Sequence, residues 1–300
     1  MSRDRAVSDR LLSLRLHQQH GRRAPHKPLL VLLALGRLAN HGTSELPWST
    51  ARERLGELIA EFGPGSRTGR AQSAAYPFTR LRSDGVWTLS RDVPMDKIAP
   101  LAADDVVGRL DLTIETALHR DPALLWSTAR ALVDAHFPPT IAPDVLTATG
   151  LDAEEVLRAA GTLAGPTDRR RRNAAWRMDV LTAWDRQCAF CGYDGQLDGA
   201  SVGVEAAHVR WFAFDGPDSL DNGLALCVLH HKLFDFGALG IGDDLRISVS
   251  ATFTARTPAG QALYDLHGRA LRPRPGTPAP APEHVDWHRR EVFKGRPLAA

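Results

Sequence analysis

Cys188-Ala-Phe-Cys191 and, further along, Cys227-Val-Leu-His230 are two ligand pairs of one spacing, the second ending in histidine. Each pair can turn both donors toward a single ion about 2.0–2.3 Å away, so together they predict a tetrahedral Cys3His zinc site. The alternative is three buried thiols and a surface histidine. All three cysteines of the chain lie in this span, and an odd number argues against a disulfide framework. A bound zinc contributes on the order of 10 kcal/mol to a loop-rich unit, which this glycine-rich segment needs.

Within and just beyond the span stand Glu205-Ala-Ala-His208, Asp221-Asn222-Gly223-Leu-Ala-Leu-Cys227 and His231-Lys-Leu-Phe-Asp235. The order His208, Asn222, His231 around a zinc knuckle resembles the HNH nucleases of the ββα-metal class. The resemblance implies a hairpin followed by a helix, a catalytic divalent ion (Mg2+ or Mn2+), and hydrolysis of a phosphodiester. The residue types suit that chemistry. A histidine titrating near neutrality, His208, can take a proton from water, and the Asn222 amide can fix its orientation. A metal bound by His231 would neutralise the scissile phosphate and the leaving oxygen. On a helix, His230 and His231 point about 100° apart, so one can serve the zinc and the other the cleft. Asp235, four residues beyond His231, shares its face as a second ligand or an orienter. Many HNH nucleases carry an Asp or His directly before the base. Here that residue is Ala207, and Glu205 or Asp235 stands to compensate.

Outward from this centre, residues 173–186 read as a helix, residues 224–234 as another, residues 247–253 as a strand, and a last short helix follows Pro282. Upstream, Gly161, Gly165 and Pro166 break the pattern before Arg169 to Arg172, which marks a boundary. The expected organisation is a domain of residues 1–160, a basic linker of residues 161–173 and a domain of residues 174–300. The first domain predicts helices over residues 7–20, 28–40, 122–136 and 153–160. Thr50 and Glu53 form a capping-box pattern for a helix ending at Phe62. Residues 63–75 read as a basic loop. Residues 76–81 and 86–89 flank Ser83-Asp84-Gly85 as strand, turn and strand. The fold class is therefore α+β: a mostly helical first domain with a small β-hairpin, then a zinc-containing ββα domain.

Residues 1–100 hold 16 basic and 9 acidic side chains, a candidate anion-binding face in a chain whose net charge is only +2. Gly21-Arg-Arg-Ala-Pro-His-Lys-Pro-Leu-Leu and Tyr76-Pro-Phe-Thr-Arg-Leu-Arg-Ser-Asp-Gly-Val-Trp resemble the sulfur-binding domain of restriction enzymes that attack phosphorothioate-modified DNA. With the HNH match, the likeness covers most of the chain and implies a type IV restriction endonuclease acting on phosphorothioate duplex DNA. Sulfur is larger, softer and less hydrated than the oxygen it replaces, so an apolar dimple accepts it. An oxygen there would lose hydrogen bonds to water, at about 1–3 kcal/mol. Tyr76 and Pro77 offer such a lining. Arg22, Arg23, His26 and Lys27 form a basic cluster for phosphates or a guanine edge, with Arg67, Arg70, Arg80 and Arg82 as softer contacts.

A chain that is 43% hydrophobic and 24% charged is neither disordered nor a small disulfide scaffold. Its longest apolar stretch, residues 28–35, falls far short of the ~20 residues that span a bilayer. The expectation is a soluble, cytoplasmic protein without a membrane partner. Duplex cutting needs two nicks, so a homodimer is a reasonable assembly. Two other readings remain open: an HNH endonuclease directed by another modification or a plain sequence, and a zinc-stabilised DNA-binding module without catalysis. The second leaves His208, Asn222 and His231 unexplained, because zinc stability needs none of them.

Overall fold

The computed structural model describes residues 3–15, 25–64, 73–159 and 174–299. Their contacts divide them into two compact units, residues 3–159 and residues 174–299.

The first unit is built on α2 (His26–His41), which follows α1 (Arg3–Leu12). Pro28 sits in the first turn of α2, where a missing N–H costs nothing, and Leu29 to Leu32 are wholly buried. Apolar on nearly every side, α2 is the unit's central helix. Then come β1 (Leu46–Pro47), α3 (Trp48–Phe62), α4 (Ala75–Arg80), β2 (Trp87–Leu89), α5 (Ile98–Ala103) and β3 (Val107–Leu110). Four helices complete the unit: α6 (Leu112–Arg120), α7 (Pro122–His136), α8 (Ala142–Ala148) and α9 (Ala153–Arg158). The strands form one antiparallel sheet in the order β1-β3-β2, with Trp87 opposite Leu110.

Three local expectations are corrected here. The helix expected over residues 7–20 ends at Leu12, and residues 16–20 lie outside the described residues. The Thr50–Glu53 capping box does not form, because Pro47 already precedes the first turn and both residues lie inside α3. Residues 76–81 are helical and 3-10 rather than a strand, and β2 pairs with β3 instead. Pro77 explains the last point: it would remove a ladder hydrogen bond from a sheet, whereas in the first turn of α4 no bond is lost.

The second unit opens with α10 (Ala174–Ala183) and the short pair β4 (Gln196–Leu197) and β5 (Ala200–Ser201). Next is the hairpin of β6 (Val204–His208) and β7 (Gly223–Cys227), antiparallel with Val204 opposite Cys227 and His208 opposite Gly223. Helix α11 (Val228–Asp235) follows directly and completes the ββα unit. The unit ends with β8 (Leu239–Ile241), β9 (Ile247–Val249), α12 (Pro258–Gln261) and α13 (Pro282–Glu291). Residues 224–227, expected to be helical, are strand. Both α10 and α11 pack on β7, so Leu224, Ala225 and Leu226 are all buried and show no alternation. Gly223 allows that packing, because a Cβ there would stand 2.5 Å from Val180 Cγ2 and 3.3 Å from the Trp176 ring. The architecture is α+β, with a helical first unit and a C-terminal ββα unit. Among the described residues no helix is long and apolar enough to cross a membrane.

Candidate active site

The turn after α10 presents Cys188 and Cys191, and the junction of β7 with α11 presents Cys227 and His230. One donor atom from each lies within 4.8 Å of every other, a group that could hold a metal ion. His230 Nδ1 stands 3.4 Å from Cys188 Sγ and 3.3 Å from Cys227 Sγ. Hydrogen bonds from Cys227 and His230 hold the buried Cys188 thiol well below the usual thiol range. Burial pushes the Cys191 thiol up, and the Cys188 contact pushes Cys227 up. No disulfide joins the three.

His208 ends β6. Its Nε2 meets Asp218 Oδ1 at 2.9 Å, and its ring stacks on Trp176 of α10 with centroids 3.8 Å apart and planes 16° apart. Asn222, expected to orient His208, does something else. It is wholly buried, its Oδ1 accepts from Arg210 N at 2.8 Å, and its Nδ2 donates to Arg210 O and Pro217 O at 3.0 and 2.9 Å. The amide therefore ties together the backbone of the loop between β6 and β7. It reaches His208 only through that loop.

His231 of α11 lies between two carboxylates. Its Nδ1 is 2.8 Å from Glu205 Oε2 and its Nε2 is 3.4 Å from Asp235 Oδ2. The His231 hydrogen bond holds the Glu205 carboxyl below its usual range against the opposing effect of burial. Asp235 is buried, and its Oδ1 accepts the indole N–H of Trp211 at 2.8 Å. The adjacent histidines are divided as their helical phase requires, His230 to the cysteines and His231 to Glu205.

In the first unit, His26, Tyr76 and Arg80 come together. The Tyr76 ring meets His26 edge-on at 6.5 Å, and the Arg80 guanidinium lies 4.9 Å from the Tyr76 centroid. Pro77, expected beside Tyr76 as an exposed apolar lining, is corrected: it is buried in α4. Arg80 grips Asp96 through three contacts of 2.5 to 3.0 Å, which hold the Asp96 carboxyl low. Its charge is thus already balanced. Lys27, expected on the DNA face, is corrected: it is buried, with Nζ 2.5 Å from Asp84 Oδ2 and 2.9 Å from Arg15 O. It starts α2 on the core side, and a buried ammonium needs those partners. Arg22, Arg23, Arg67 and Arg70, and the linker arginines Arg169 to Arg172, lie outside the described residues.

Residues 4–154, just over half of the chain, match the ScoMcrA-like DNA sulfur-binding domain. The chain belongs to that family. Residues 188–242 match an HNH endonuclease domain, so this member of the sulfur-binding family is a nuclease, and HNH domains are metal-dependent. Among solved structures, the chain is similar to the sulfur-binding domain of SprMcrA complexed with phosphorothioated DNA (25% identity, 51% of this chain, 97% of that chain, TM-score 0.42). It is also similar to the modification-dependent TagI restriction endonuclease (29% identity, 41% of this chain, 39% of that chain, TM-score 0.33). A third is the type IV phosphorothioation-dependent restriction endonuclease ScoMcrA (13% identity, 90% of this chain, 98% of that chain, TM-score 0.38). No curated protein matches the chain.

In this sulfur-binding nuclease, reading the sequence missed Asp218, Trp176 and Trp211. Asp218 lay in view between His208 and Asn222, but only the path of the loop singles it out from Asp215 and Asp221. Trp176 precedes the HNH match altogether, and no spacing rule points to it.

Proposed function

We propose that the chain is a restriction endonuclease that holds phosphorothioate-modified duplex DNA with its sulfur-binding domain and hydrolyses nearby phosphodiester bonds at the ββα unit. One observation carries this reading: a sulfur-binding family member also bears His208, and a Glu205–His231 pair, on one zinc-knuckle hairpin and helix. Domains of residues 1–160 and 174–300, joined by a basic linker, divide the labour.

Cys188, Cys191, Cys227 and His230 are the ligands of a structural zinc. Tetrahedral ligands about 2.3 Å from an ion stand about 3.8 Å apart, within the spread of this group. Glu205 and His231 are the ligands of the catalytic cation, Mg2+ or Mn2+. Adjacent ligands at about 2.1 Å stand about 3 Å apart, close to the 2.8 Å between them. Glu205 lies two residues before Ala207, hence on the same face of β6 and one step down the strand. Its longer side chain replaces the acidic residue absent from position 207. Asp235 positions His231 rather than ligating the cation, because Trp211 already occupies one of its oxygens. When bound, the cation neutralises charge on the scissile phosphate and leaving oxygen.

His208 takes the proton from the attacking water, and Asn222 keeps the surrounding loop in shape. Tyr76 presents the apolar surface for sulfur, and Pro77, itself buried, keeps that turn of α4 rigid. His26, Arg22, Arg23, Arg67 and Arg70 hold the neighbouring phosphates, Arg80 joins them only by exchanging Asp96 for phosphate, and a second copy supplies the second nick.

The test uses the full chain with matched duplexes, with and without sulfur and of controlled stereochemistry, at one salt concentration. The wild type should cut the sulfur duplex when Mg2+ or Mn2+ is added, and His208→Ala should bind it without cutting. Equal cutting of both duplexes would leave an HNH nuclease of another specificity. Undiminished cutting by His208→Ala would remove His208 as the base.

A further inference from the structure

His208 is held on two sides by groups that the HNH resemblance does not assign. The carboxylate of Asp218 meets its Nε2 at 2.9 Å, with the two side chains only 11–13% exposed. The indole of Trp176 covers its ring at 3.8 Å. Both holders are themselves fixed. Trp176 donates Nε1–H to Ser219 O at 3.0 Å, and Asn222 donates to Pro217 O at 2.9 Å. Three consecutive loop residues, Pro217, Asp218 and Ser219, are therefore bound by Asn222, His208 and Trp176 in turn. An ionised carboxylate can only accept, so the ring proton belongs on Nε2 and the lone pair on Nδ1.

We propose that Asp218 is a positioning residue that fixes the tautomer of His208, making Nδ1 the proton-accepting atom, with Trp176 setting the plane of the ring. This rests on His208 being the base. The attacking water gives its proton to Nδ1 as its oxygen bonds to phosphorus. The bond from phosphorus to the leaving oxygen breaks, and that oxygen takes a proton from solvent. The imidazolium so formed faces the Asp218 side chain, whose negative end stabilises it. The indirect role of Asn222 follows, since it shapes the loop that delivers Asp218.

The test uses the full chain as purified, labelled with 15N-histidine. The His208 resonances are identified by their loss in His208→Ala. Above the ring's titration, the wild type should show Nε2 protonated and Nδ1 bare, whereas Asp218→Ala should show mixed tautomers. With phosphorothioate duplex and Mg2+, Asp218→Ala should lower kcat on the order of 100-fold with KM unchanged. Asp218→Asn can turn its NH2 toward Nε2, which favours the opposite tautomer, and should lose at least as much kcat. Trp176→Phe should recover most of the activity that Trp176→Leu loses. A wild-type tautomer together with kcat within twofold in Asp218→Ala overturns the proposal. If that variant does not fold, an unchanged kcat in the isosteric Asp218→Asn does so. Undiminished cutting by His208→Ala sinks the nuclease-base reading instead, while the tautomer still reports whether Asp218 governs the ring.

Discussion

Asn222 spends its whole amide on three backbone groups, two of them carbonyls. In Asn222→Asp a carboxylate would face Arg210 O and Pro217 O with nothing to donate. The expected cost is about 2–4 kcal/mol, read from denaturant melts, with cleavage lost even where the protein remains folded. Tyr76 sits between His26 and Arg80, so Tyr76→Ala in the His208→Ala background should erase most of the preference for sulfur over oxygen in a binding titration. Arg23→Ala should instead weaken both duplexes alike and flatten the salt dependence, as a phosphate contact would. Retained discrimination in Tyr76→Ala would take that ring out of the sulfur pocket. At this scale type and spacing single out the side chains that the structure brings together, His231 with Glu205 and the four members of the Cys3His group. Other partners in the site are not legible in this way. Asp218, Trp176 and Trp211 act through a loop conformation and a helix approach that no linear spacing encodes, and Lys27 looked like a surface cation because its buried partner Asp84 is remote in sequence.

Among the elements, the approach of α10 to the hairpin decides the site. Adding a methyl in Gly223→Ala puts a carbon 2.5 Å from Val180 Cγ2, on a β-branched side chain with little room to turn. The expected effect is about 1–3 kcal/mol of destabilisation and a lower kcat as Trp176 moves off His208. Val180→Ala in the same chain should recover both, which a double-mutant cycle on melting and cleavage would measure. An additive cycle would mean that the two residues do not meet. Helix α10 itself was readable from its composition and breaks. The strand β7 was not, since burial on both faces removes the alternation that marks a strand, and the apolar run 224–227 then merges with the helix behind it. The stretch 76–81 misled in the opposite direction: Tyr76, Phe78 and Arg80 alternate with smaller residues as a strand would, and Pro77 was the one residue that favoured a first helical turn.

At the level of the whole molecule, each unit has its own buried core, and only the second has a Cys3His group. If that group holds the proposed zinc, a chelator in mild denaturant should unfold residues 174–299 while residues 3–159 keep their amide protection, as read by hydrogen exchange. The lost stability should be on the order of 10 kcal/mol. Simultaneous loss of protection in both units would tie the first unit's stability to the metal. Each chain has one His208, so a duplex break should pass through a nicked intermediate, and the second cut should quicken with protein concentration if a second copy makes it. The placement of Trp176 also bears on how such nucleases are built and exchanged. The recognisable HNH segment starts at residue 188, yet the ring covering His208 is carried twelve residues earlier, on α10. A recombination event, or a designed fusion, that joined a new recognition domain at the start of the recognisable segment would inherit zinc ligands, histidines and carboxylates and still be a poor cutter. The inheritable cassette is longer than its signature, and grafts cut upstream of residue 174 should keep their turnover where shorter ones do not.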